Sequence, residues 1–91
     1  MKLVFHAAAL ADLRAIHHHI SQDNPNVATA VITRIRSVLD RLTRFPRSGR
    51  RGTVEGTFEV VIPGLPYIVV YEIGDETIDI IAVFHGARDR F

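Results

Sequence analysis

Three runs of β-branched and aromatic residues in the second half of the chain constrain its fold more than any other feature. They occupy residues 57–62, 67–73 and 77–84, and only Pro63-Gly64-Leu65-Pro66 and Gly74-Asp75-Glu76 separate them. Val, Ile, Thr, Tyr and Phe fit a pleated, half-buried surface, and short Gly/Pro breaks reverse the chain tightly. The expectation is a β-meander. In its first strand Phe58, Val60 and Ile62 alternate with Glu59 and Val61. In the second, Tyr67, Val69 and Tyr71 share one face and Ile68 and Val70 the other. In the third, Ile78, Ile80, Ala82 and Phe84 oppose Thr77, Asp79, Ile81 and Val83. Directly behind this strand come His85, Arg88 and Arg90, polar cationic groups that no core accommodates.

The first half carries a different period. Lys2 to Phe5 is a short apolar run and reads as a strand. From Ala7, the residues Leu10, Leu13, Ile16 or His17, and Ile20 recur at helical spacing, with Asp12 and Arg14 off that stripe. Turn chemistry at Gln22-Asp23-Asn24-Pro25 ends this helix near Ser21. Asn24 then caps a second helix, with Pro25 at the first position, where a missing N–H is harmless. Ala28, Val31, Ile32, Ile35, Val38, Leu39 and Leu42 give that helix one continuous apolar stripe. Phe45-Pro46 terminates it, because a residue before proline is driven out of the helical region. Two helices joined by a short turn form an antiparallel hairpin whose stripes face the sheet. The expected fold is therefore α+β: an N-terminal strand, then a helical hairpin on a small, mainly antiparallel sheet.

Length and composition narrow the functional classes. The 91 residues make a single domain, 1–91, with one modest core. Cysteine is absent, which suits a reducing cytoplasm. No apolar run approaches the roughly 18 residues of a membrane span, and the N-terminus lacks the pattern of a signal peptide. The net charge of +1 gives no global electrostatic case for nucleic acid. Its distribution is more telling. Arg41, Arg44, Arg47, Arg50 and Arg51 fall in one acid-free stretch, and the planar guanidinium fork suits phosphate or carboxylate.

The order β-α-α-β-β-β, the Asn24-Pro25 break and Phe45-Pro46 followed by Gly49-Arg50 resemble the RelE/ParE superfamily of toxins from type II toxin–antitoxin systems. So do the strand from Pro66 to Tyr71 and the ending from Val83 to Arg88. The resemblance covers essentially the whole chain. It implies a cytoplasmic toxin, without cofactor, neutralised by a cognate antitoxin in a heteromeric complex. RelE-like members cleave mRNA on the ribosome without metal, whereas ParE-like members poison DNA gyrase. Where RelE-like nucleases carry a phosphate-binding Arg in Tyr-Arg-Leu-Val-Tyr, this chain has Ile68, within Tyr67-Ile68-Val69-Val70-Tyr71. An aliphatic group offers no charge to a phosphorane. Ala87 likewise stands in place of a Lys, while Arg88 is retained. The ParE branch is the nearer, with no chemistry of its own. The alternatives are a RelE-like endoribonuclease and an inactive antitoxin-binding module.

These readings give residue-level expectations. If the chain is a nuclease, His85, Arg88 and Glu59 are the catalytic candidates, Glu59 being a general base only if it lies near His85, and otherwise solvated. For target binding and toxicity the candidates are His85, Arg88, Arg90, Arg47, Arg50 and Arg51. For antitoxin binding they are Leu13, Ile16, Ile20, Tyr67 and Tyr71. No metal site is expected. His17-His18-His19 are consecutive, so on a helix they point about 100° apart and do not converge on one ion as an i, i+4 pair does.

Overall fold

The computed structural model of the chain describes residues 1–88. Its elements are strand β1 (Lys2–Phe5), helix α1 (Ala7–Ser21), helix α2 (Pro25–Leu42), the two-residue strand β2 (Arg50–Arg51), β3 (Phe58–Val61), β4 (Tyr67–Ile73) and β5 (Thr77–His85). The strands form one mixed sheet in the order β1-β5-β4-β3-β2. Strand β1 runs parallel to β5, and every other pair is antiparallel. The expected α+β architecture, with its hairpin and meander, is the one observed.

Local chemistry accounts for the helix boundaries. Asn24 is extended at φ −154°, and its Oδ1 accepts from the backbone N–H groups of Asn26 (3.1 Å) and Val27 (3.2 Å). That satisfies two of the donors that a helix start leaves orphaned. Along α2, Ala28, Val31, Ile35, Leu39 and Leu42 are buried. Val31, Ile35, Leu39 and Leu42 join Ile62, just past β3, and Val69, Tyr71, Ile78, Ile80 and Val83 of the sheet in one core. Burial of each Ile, Leu or Val there contributes about 1.5–3 kcal/mol.

The α1 stripe differs from expectation by a small rotation. Ala9 is fully buried and Leu13, Ile16 and Ile20 pack partly against the core, but Leu10 is 38% exposed. Asp12 is half-buried and turned toward the sheet, where its Oδ2 accepts the Val83 N–H at 2.9 Å. The reason lies in the topology. Strand β1 ends at Phe5, opposite Ile80, so it offers no backbone partner to β5 at Val83. The Asp12 carboxylate replaces the missing carbonyl.

A second difference lies in β5. Val70 faces Ala82 while Tyr71 faces Ile80, so Ile81 is an extra residue, a β-bulge. Beyond it the alternation shifts by one. Val83 joins Ile78 and Ile80 in the core, where strict alternation places Ala82 and Phe84. A period-2 pattern carries no mark of an inserted residue, so the shift is invisible in the sequence.

Candidate functional site

The helix-covered face of the sheet ends in a cleft of ≈ 250 Å³ between α1 and the end of β5. Asp12, Ile16 and His19 of α1 line one wall, and Tyr67, Val83, His85 and Arg88 the other. The bulge at Ile81 brings His85 here: it shares a face with Val83 and stands opposite Tyr67. The His85 ring meets Tyr67 edge-on, with centroids 5.7 Å apart and an 86° interplanar angle. The Ala87 N–H donates to His85 Nδ1 at 3.2 Å. That bond ties the ring to the turn that follows β5. His85 and Arg88 both line this cleft.

The opposite face of the sheet carries no helix among the described residues. Ile68 lies on it, directly between Val61 of β3 and Phe84 of β5. The next row is Glu59, Val70 and Ala82. Glu59 belongs to this face, not to the His85 cleft, so it is no partner for His85. Nor is it solvated: at 8% exposure it is buried, and its Oε1 accepts from Arg50 Nε at 3.4 Å and from a terminal Arg50 nitrogen at 3.2 Å. The pair holds β2 against β3. Its Arg50 end is largely exposed, so its contribution to stability is small.

The arginine-rich loop divides in the same way. Arg50 and Arg51 are neighbours on β2 and so point to opposite faces. Arg51 pairs with Phe58, and the Arg47 guanidinium lies 5.9 Å from the Phe58 ring centroid. Phe58 is opposite Tyr71, four residues along β4 from Tyr67 and His85, roughly 14 Å at 3.4 Å per residue. The described target-binding candidates therefore occupy three places: His85 and Arg88 in the cleft, Arg50 on the open face, and Arg47 with Arg51 at the far end. Arg90 lies outside the described residues.

Two of the five candidates for partner binding have little surface to offer. Tyr71 is fully buried, stacked on Phe58 with centroids 5.7 Å apart. Its hydroxyl donates to the Pro46 carbonyl at 2.8 Å and accepts the Gly49 N–H at 3.1 Å. Burial pushes its phenol pKa up, and the Gly49 bond opposes the shift. Tyr71 therefore fastens the loop after α2 and, in this chain, offers no exposed surface. Tyr67 is 7% exposed and forms the floor of the cleft. Leu13, Ile16 and Ile20 are half-buried. Residues that sequence reasoning missed are Asp12, spent on Val83, and Phe45, which is 61% exposed. His17, His18 and His19 are exposed, and no group of three possible ligands converges on a metal position among the described residues. No helix among them is long and apolar enough to cross a membrane.

Residues 3–90 match the family model described as ParE toxin of type II toxin-antitoxin system, parDE. Y4kP, a candidate toxin of Sinorhizobium fredii, is 38% identical over 78 residues, covering 86% of this chain and 80% of that protein. Toxin RelE2 of Caulobacter vibrioides is 36% identical over 80 residues, covering 88% and 89%. Among solved structures, a chain of the chromosomal ParDE toxin–antitoxin system of P. aeruginosa superposes with a TM-score of 0.82 at 23% identity. It covers 93% of this chain and 95% of its own, a likeness of fold.

Proposed function

This chain belongs to the ParE toxin family of type II toxin–antitoxin systems, and from that premise we propose that it arrests growth by obstructing a macromolecular target, DNA gyrase, without cleaving RNA. A cognate antitoxin neutralises it. The observation that carries this reading is the row Val61–Ile68–Phe84 across the open face of the sheet. A nuclease of this superfamily, by the resemblance, sets a guanidinium at the position of Ile68. Phosphoryl-transfer catalysis without metal depends on such fixed positive charge. Here that position and both of its cross-strand neighbours are apolar. Glu59 is engaged by Arg50, and His85 lies on the other side of the sheet.

The second reading, a ribosome-dependent endoribonuclease, draws support from the RelE name of the Caulobacter relative and from the pairing of His85 with Arg88. Two assays on the purified protein decide between them. The expected outcome is loss of gyrase supercoiling as toxin is titrated, with mRNA on translating ribosomes left intact. Cuts at the ribosomal A site, with supercoiling unaffected, overturn the proposal.

A further inference from the structure

Resting on the reading of an obstructed protein target, we infer that the target docks a basic, partly apolar segment on the open face of the sheet, its Lys or Arg side chains against Glu72 and Asp79. The face has two unlike ends. At one end Val61 and Ile68 are cross-strand partners. At the other, Glu72 of β4 stands directly opposite Asp79 of β5, with Val4 of β1 beyond. Ile68 and Glu72 are four residues apart on β4, roughly 14 Å at 3.4 Å per residue. Glu59 lies in a row between them and is already covered by Arg50.

The fold itself has no use for the acidic end. Like charges directly opposite on neighbouring strands are destabilising, and the exposed Asp75 and Glu76 of the intervening turn add to them. Between Glu72 and Asp79 the chain has no basic residue. Lys2 is close by, opposite Thr77, yet among the described residues Arg50–Glu59 is the one ion pair formed. No group of three possible metal ligands gathers among the described residues, so a bare divalent cation is not the match. The matching positive charge comes from another macromolecule. The apolar end says which kind. Val61 is 48% exposed and Val4 38%. Exposed aliphatic surface marks an interaction site, and an aliphatic sheet face is covered by a further layer. Nucleic acid fails at both ends: Glu72 and Asp79 repel its phosphates, and its backbone has no use for Val61 and Ile68. A protein segment with apolar residues roughly 14 Å from a Lys or Arg satisfies both. The proposed target meets that demand, because an enzyme that grips DNA presents Lys and Arg to phosphates. Carboxylates on the toxin compete for those side chains.

The test uses purified gyrase holoenzyme and the intact toxin, reading supercoiling inhibition and the dissociation constant of the pair. Glu72→Gln/Asp79→Asn removes two charges with little change of shape. It is expected to weaken binding and inhibition by about 10-fold, with a Tm no lower than that of wild type. Val61→Asp, at the other end of the face, is expected to weaken both by a similar factor. Asp23→Asn/Asp40→Asn makes the same change of net charge at exposed positions on the helical side and is expected to act as wild type. Wild-type affinity in both open-face variants, with gyrase still inhibited, overturns the docking site and leaves the gyrase reading standing. A Tm lower by more than about 2 °C in Glu72→Gln/Asp79→Asn also overturns it, because the carboxylates then serve the fold. A single-stranded RNA bound by wild type more tightly than gyrase, and tighter still by that variant, makes the face a nucleic-acid surface and overturns it. So does a toxin dimer that dissociates in either open-face variant, which makes the face a self-interface. No binding of wild type to gyrase overturns the docking site and the gyrase reading together.

Discussion

Removing the hydroxyl of Tyr71 tests the account of how the loop after α2 is held. Tyr71→Phe keeps the ring and its stacking on Phe58, so no cavity opens. It deletes the 2.8 Å bond to the Pro46 carbonyl and the 3.1 Å bond from the Gly49 N–H. Each abandoned group costs about 1–3 kcal/mol where water is excluded. Pro46 and Gly49 are half-buried, which places each near the lower end. The sum is about 2 kcal/mol. For a domain of this size that corresponds to a fall in Tm of about 8–16 °C at pH 7, followed by circular dichroism. A fall below about 2 °C would refute the reasoning. The pH dependence adds a second check. Burial raises the phenol pKa in the folded state, against the opposing Gly49 bond. A group with a raised folded-state pKa contributes stability that is fully present below its unfolded value, about 10, and is lost as pH rises through the folded value. Wild type is therefore expected to lose part of its advantage over Tyr71→Phe above about pH 10.

Other substitutions check other parts of the structure. A Cβ on Gly49 would sit 2.5 Å from both the Glu59 carbonyl oxygen and Tyr71 Oη, so Gly49→Ala is expected to destabilise by about 1–3 kcal/mol, read from the urea midpoint. Asp12→Ala orphans the Val83 N–H. It is expected to cost about 1–2 kcal/mol and to accelerate hydrogen exchange at that amide, whereas an unchanged exchange rate would mean the carboxylate bond is dispensable. Arg88→Ala empties the cationic side of the cleft and is expected to abolish growth arrest while antitoxin binding persists; full retained toxicity removes the cleft from the toxic surface.

Much of the fold is legible in the sequence because local and global signals agree. The Asn24-Pro25 start and Phe45-Pro46 stop of α2 are read directly from capping and proline chemistry, and its buried residues are those of the periodic stripe. The α1 stripe is less legible. An Ala-rich start places Ala9 and Leu10 on adjoining faces, and the apolar count alone favours the larger residue, which is the exposed one. Asp12 escapes for a related reason: its role depends on where β1 stops relative to β5, a tertiary fact with no local trace. The site is harder still. Glu59 reads as a solvated residue between two apolar neighbours, and only the pairing of β2 with β3 reveals that Arg50 covers it.

The bulge at Ile81 has the largest functional consequence. Strict alternation would set His85 on the open face, beside Ile68 and in reach of a substrate laid across the sheet. One unpaired residue instead sends it through to the helix side, against Tyr67 and α1. The imidazole and the Arg50–Glu59 pair are then separated by the thickness of the sheet itself. No single phosphate can touch both. The retained His85 and Arg88 therefore support the obstruction reading better than they support cleavage. They form a compact polar patch at one end of the molecule, while the surface on which a nuclease would hold its substrate is aliphatic at its centre.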